Sequence, residues 1–202
     1  MKIGIICEGS IDSDVLVFEY LIKKLNEKIR KEVKVLRNPL GNKKDIFKFC
    51  GKVSKNLLEI DKCDKVIIIW DLSPSWKTED PKKPCLKEDR EKVFKSLNDE
   101  KIDRSKVSLI CIQAMLEAWL IADEEALIKF LSTKSHSAEV NKVKNPEKEK
   151  DPKARLIKVF ETNKGFKYEE SRHAIKIIEL VDTKKLYKRC LTYQRFEEKL
   201  KL

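Results

Sequence analysis

Acidic residues follow the apolar runs of this chain at their carboxyl ends: Glu8 and Asp12 after residues 2–7, Asp71 after residues 66–70, and Glu117 after residues 107–112. If these runs are parallel strands, those ends converge on one edge of a sheet, where neighbouring carboxylates repel unless a cation stands between them. Oxygen donors without His or Cys suit a hard divalent ion, Mg²⁺ or Mn²⁺. Such an ion would hold a phosphate and activate water or a leaving oxygen. Asp12 also reads as a helix cap and Asp71 as a strand terminator. Glu8 resists so plain a reading: it directly follows an apolar strand and precedes Gly9, which suits a sharp turn or a close backbone approach.

Other chemistries are disfavoured by residue type and spacing. The six cysteines include no C-x-x-C pair, and Cys7 and Cys111 lie inside strand-like runs, so neither a zinc site nor a disulfide framework is expected. His136, in a Ser/Thr/Lys-rich stretch, and His173 are the only histidines, which argues against histidine catalysis. No glycine spacing matches G-x-G-x-x-G or a P-loop, which removes dinucleotide and Walker-type binding.

The elements that must position the carboxylates alternate along the chain. Residues 2–7 read as a strand, and apolar residues at helical spacing (Val15, Phe18, Leu21, Ile22, Leu25) predict a helix that Asp12, Ser13 or Asp14 is placed to cap. A second strand is predicted at residues 33–36, and a helix is marked by Ile46, Phe49, Val53, Leu57 and Leu58. Residues 66–70 lack polar alternation, as in a strand covered on both faces. A long loop over residues 72–84 carries Trp76, as an exposed contact or as a cover for the sheet edge. Residues 86–97 predict a helix, residues 107–112 a fourth strand, and residues 116–131 one continuous helix on which Asp123 is a surface or capping residue. Trp70 and Trp119 read as core. This order gives an α/β fold: an open, mostly parallel sheet flanked by helices, with ligands at the carboxyl ends of its strands.

After residue 133 the texture changes to a Lys/Glu-rich linker (residues 140–151) and three helices, at residues 153–160, 171–180 and 192–200. We therefore expect an α/β domain over residues 1–133 and a basic helical extension packed on it over residues 134–202. The 202 residues carry 45 Lys+Arg against 34 Asp+Glu, net +11, and residues 134–202 hold 19 basic and 11 acidic residues. Clustered Lys and Arg supply most sequence-independent affinity for nucleic acid, and Lys43, Lys44, Lys153 and Arg155 are the candidate contacts. The same composition also serves surface ion networks in thermostable proteins. The longest uncharged run, residues 107–116, is about half of what a membrane-spanning helix needs. With no signal-peptide pattern at residues 1–8, a cytoplasmic location is expected.

Glu8-Gly9-Ser10-Ile11-Asp12 after a strand, with a later strand ending in Asp71, resembles the Toprim domain of topoisomerases, primases and overcoming-lysogenization-defect nucleases. The resemblance implies Glu8 as the catalytic Glu, in acid/base or metal chemistry, and Asp71 as the first carboxylate of an Mg²⁺-binding Asp-x-Asp. Here Ser73 stands where that motif has its second Asp, and Glu117 is the compensating ligand that the resemblance offers. Over nearly the whole chain, Cys7-Glu8-Gly9, the run Glu117-Ala118-Trp119-Leu120-Ile121-Ala122-Asp123, Asp151-Pro152-Lys153, Tyr168 and Arg195-Phe196 are similar to a Toprim-like family of unknown function. Some of its members resemble components of phage-defence systems.

The expectation is thus an Mg²⁺- or Mn²⁺-dependent phosphodiester enzyme on DNA or RNA, in phage defence or DNA repair, with Glu8, Asp12, Asp71 and Glu117 at the metal. The alternative is a catalytically silent binding or assembly module partnering another protein such as an ATPase, which Ser73 motivates. A phosphotransferase or phosphohydrolase of small molecules would use similar ligands without needing the basic tail.

Overall fold

The computed structural model describes residues 1–9, 14–27, 32–75, 85–165 and 167–200. Four strands, β1 (Lys2–Cys7), β2 (Lys34–Pro39), β3 (Lys65–Asp71) and β4 (Val107–Ile112), form one sheet in the order β2-β1-β3-β4. Every neighbouring pair is parallel, with Ile5 opposite Arg37 and Ile67, and Ile69 opposite Ile110. β1 and β3 are central, and apart from Lys2, Lys65 and Asp71 they are buried on both faces. That is why they read as unbroken apolar runs rather than alternating ones.

Helices α1 (Asp14–Glu27), α2 (Lys43–Lys55) and α3 (Leu86–Asp99) follow β1, β2 and β3 in turn. One face of the sheet packs α2 and α3 through Ile46, Cys50, Val93 and Leu97 onto Ile6, Val66, Ile68 and Trp70. These two helices cross closely at Gly51, where an added Cβ would lie 2.0 Å from the carbonyl oxygen of Ser96. The Gly51 N–H donates to Ser96 Oγ across the same contact (3.0 Å).

The other face carries α1 together with α4 (Glu117–Leu120), α5 (Glu124–Leu131), α6 (Pro152–Lys164), α7 (Glu170–Ile178), α8 (Thr183–Arg189) and α9 (Leu191–Leu200). The helices beyond residue 133 share one core with β1, β3 and β4: Phe18, Trp119, Tyr193 and Phe196 interlock, with Trp119 edge-on to Tyr193 at 5.3 Å between centroids. The Trp119 indole N–H donates to Thr192 Oγ1 (3.1 Å). Trp70 and Trp119 are core residues, as their apolar surroundings in the sequence suggest. No described helix is long and apolar enough to cross a membrane.

The structure corrects the sequence reading between residues 116 and 131. Two short helices replace the single expected one, because Leu116 to Ala122 is buried all round and Asp123 adopts an extended conformation. Asp123 is 2% exposed, so it is no surface residue. Standing at the N-cap position of α5, it accepts the Asp182 N–H (2.9 Å) and Lys185 Nζ (2.8 Å), tying the α7–α8 turn to the sheet domain. Helix α8 was not expected from the sequence. Trp76 lies outside the described residues.

Candidate functional site

Because all four strands run the same way, their carboxyl ends meet on one edge, and each β–α connection delivers its residues there. At the end of β1 the chain turns at Gly9 (φ 89°), a left-handed conformation that glycine adopts without penalty. Gly9 and Gly41 then exchange backbone hydrogen bonds (2.9 and 3.1 Å), fixing the exits of β1 and β2 side by side. Glu8, directly before that turn, points across to β3, and the Asp71 N–H donates to its Oε1 (3.1 Å).

Beyond Asp71, the N–H groups of Leu72 and Ser73 donate to the carbonyls of Ile112 and Ala114. Lys43, in the first turn of α2, closes this loop from the other side. Its ammonium donates to the carbonyls of Leu72 (2.9 Å) and Pro74 (2.6 Å) and lies 3.7 Å from Asp89 Oδ2. Asp89 in turn accepts the indole N–H of Trp70 (3.2 Å). Lys43 is buried and spends its charge inside the protein, so its place in the structure is a brace for the loop after β3 rather than a surface contact.

The opposite wall comes from the helices beyond β4. Glu117 opens α4 and is 3% exposed. Lys153, in the first turn of α6, bridges Glu117 Oε1 (3.6 Å) and Glu170 Oε2 (2.7 Å). Glu170 opens α7 and meets the carboxyl of Asp14, the first residue of α1. Tyr168 is buried, with its hydroxyl toward Glu117. Asp14 Oδ1 is buried without a hydrogen-bond partner, an expensive condition, while Glu117 Oε1 has the longer ion pair with Lys153 and the Tyr168 hydroxyl faces Glu117.

The electrostatics follow from this crowding. Burial first, and then the charges of Glu8 and Glu117, raise the proton affinity of Asp71 well above the ordinary carboxylate range, against the Leu116 N–H and Lys43. Burial raises Glu8 and Glu117 too, opposed chiefly by Lys43 and by Lys153 respectively. Burial, followed by the charges of Asp71 and Glu170, raises Asp14 well above its usual range. Glu170 goes the other way: despite its burial, hydrogen bonds from Lys153 and Asp14 hold it below its normal value. Asp14 and Glu170 are thus pushed in opposite directions by the contact between them, with the proton favoured on Asp14.

Of the expected ligands, Glu8 and Asp71 stand together and Glu117 joins them electrostatically, whereas Asp12 lies outside the described residues. The donor set is all oxygen, as a hard cation requires, and of its carboxylates Glu117 is buried with Lys153 as its cationic partner. Among the described residues, no three His, Cys, Asp or Glu side chains already converge as a ready ligand shell. Lys153 holds the cationic position between Glu117 and Glu170. Asp14, Glu170 and Tyr168 are members of the cluster that sequence reasoning did not assign to it. Asp14 had been read only as a cap, and Glu170, from a charged tail far along the chain, gave no local signal. Arg155 pairs with Glu149 (3.3 Å), while Lys44 is exposed on α2. His173, on α7, accepts the Glu169 N–H at Nδ1 (2.9 Å) and stacks among Phe160, Tyr168 and Phe130, a structural role.

The fold and this edge define an α/β protein whose open, all-parallel sheet gathers an acidic cluster at the carboxyl ends of its strands, completed by C-terminal helices. The chain belongs to the family described as Domain of unknown function (DUF4276), whose model matches residues 12–201. No curated protein matches it.

Proposed function

We propose that this protein is an Mg²⁺- or Mn²⁺-dependent phosphodiester enzyme of the Toprim type, acting on DNA or RNA. The observation that favours the reading is that Glu8 and Asp71, at the ends of β1 and β3, lie side by side on one edge, with Glu117, at the start of α4, near enough to act on Asp71 electrostatically. Glu8, Asp71 and Glu117 would hold the ion, which supplies Lewis-acid stabilisation of a phosphoryl oxygen and a more acidic water. Glu8, oriented by the Asp71 N–H on one oxygen, would serve as a metal ligand or as the base that takes a proton from the attacking group. Its raised proton affinity brings it closer to the range in which a general base works. Lys43 holds the loop after Asp71 in place, and Lys153 balances the charge of Glu117 and Glu170.

Metal-dependent cleavage of labelled oligonucleotides by the wild type, lost in Glu8→Gln with the melting temperature unchanged, is the expected result. Cleavage undiminished in that variant rejects the reading. A second reading is favoured by Ser73 and by the Lys153 ammonium between Glu117 and Glu170: a catalytically silent binding or assembly module, with a protein partner such as an ATPase. Stable partner binding by a wild type that shows no metal-stimulated turnover selects it.

A further inference from the structure

α2 and α3 follow β2 and β3, so both run away from the carboxyl edge, side by side on one face of the sheet. A cleft of about 690 Å³ lies between them. None of the edge carboxylates lines it, and its own residues are of a different kind. Lys44, Lys48 and Lys52 recur every four residues along α2, an axial rise of about 6 Å between successive positions. Lys92 and Lys95 face them from α3. All five are exposed. Phe47 lies in the cleft as well, and Phe49 is 38% exposed, an unusual state for a large aromatic, with Lys48 Nζ 4.9 Å from its ring centre. The acidic residues Asp99 and Glu100 line only the end remote from the carboxyl edge, where α3 stops.

We propose that this cleft is the track of a single strand of nucleic acid, whose phosphates follow the lysine row while a base stacks on Phe49. The pattern fits that occupant better than an acidic protein segment. A regular row of cations answers a regularly charged polymer, and an exposed ring beside it is the stacking platform that single-strand binders use. The acidic end limits the strand's run away from the sheet. Its other end opens at the first turn of α2, where Lys44 adjoins Lys43 and the loop after Asp71. The substrate path this implies rests on the phosphodiester reading above, but the binding itself does not.

The test is fluorescence anisotropy of a labelled 12-nucleotide single strand in EDTA, with cleavage in Mg²⁺ followed separately. Lys48→Glu/Lys52→Glu should weaken binding tenfold or more at moderate salt. Each lost phosphate contact should reduce the log–log salt slope by roughly 0.7. Phe49→Ala should weaken binding about fivefold or more with the salt slope unchanged. Glu8→Gln should bind as the wild type does. Undiminished binding by the lysine variant overturns the proposal, as does poly-glutamate of equal charge binding as well as the oligonucleotide. Wild-type protein that binds but never cleaves refutes the phosphodiester reading and leaves the track standing. Cleavage indifferent to the lysine and phenylalanine changes does the reverse.

Discussion

Asp71→Asn isolates the cost of crowding carboxylates at the edge. Asp71 binds its proton more tightly in the folded protein than in the unfolded chain, because its carboxyl is desolvated at the half-buried end of β3 and faces Glu8 and Glu117. Between the unfolded value near 3.8 and its higher folded value, the native state therefore carries one proton more than the unfolded state. Unfolding free energy then falls as pH rises, by up to about 1.4 kcal/mol per pH unit. The contribution is fully present below the unfolded value and is lost on rising through the folded one. Asparagine has nothing to titrate, so the stability of the variant minus that of the wild type should climb with that slope from about pH 4 upward, and level off once Asp71 ionises in the folded protein. Glu8 and Glu117 would also face one negative charge fewer, which acts in the same direction. Any fixed penalty, such as a poorer acceptor for the Leu116 N–H, displaces the difference without tilting it. Urea unfolding of both proteins at pH 4.5, 6.0 and 7.5, without divalent metal, measures the difference while titrations elsewhere cancel. A difference that stays constant over that range refutes the claim that the surroundings raise the proton affinity of Asp71.

Two further predictions concern the frame that holds the site. Gly51→Ala should cost about 1–3 kcal/mol in urea unfolding, because the new methyl meets the backbone carbonyl of Ser96 rather than a side chain that can swing away; a change under 0.5 kcal/mol would show that α2 and α3 do not cross there. Asp123→Ala should cost about 1–3 kcal/mol at neutral pH, through loss of a charged acceptor for the Asp182 N–H and Lys185. Despite its burial, those partners hold the Asp123 carboxyl below its ordinary value, so its contribution is present above the unfolded value near 3.8 and fades as pH falls below it. An Asp123→Ala penalty that persists unchanged at pH 2.5 would contradict this.

The sheet and the direction of its strands were legible before any coordinates. Unbroken runs of Ile, Val and Trp mark strands covered on both faces, and helical spacing between them requires crossover connections, hence parallel pairing. Parallel pairing in turn brings Glu8 and Asp71 to one edge, so that much of the site was legible from where each acid stands relative to its strand. The remainder depended on contacts between segments far apart in the chain. Lys153 and Glu170 enter the cluster from helices α6 and α7 and Tyr168 from the connection between them, all more than a hundred residues beyond Glu8, and no local pattern ties them to the acids at the strand ends. The fate of Lys43 was equally hidden, since a lysine at the start of a helix reads as solvated until the carbonyls of Leu72 and Pro74 are seen to claim it. Residues 116–122 were read as part of one long helix because apolar content alone does not tell a helix buried on every side from a broken one. The break is settled by Asp123, whose carboxylate is satisfied by Asp182 and Lys185, partners some 60 residues away. Periodicity reports which surface an element buries. What that surface meets, and which charges are thereby left without water, depends on contacts between distant segments.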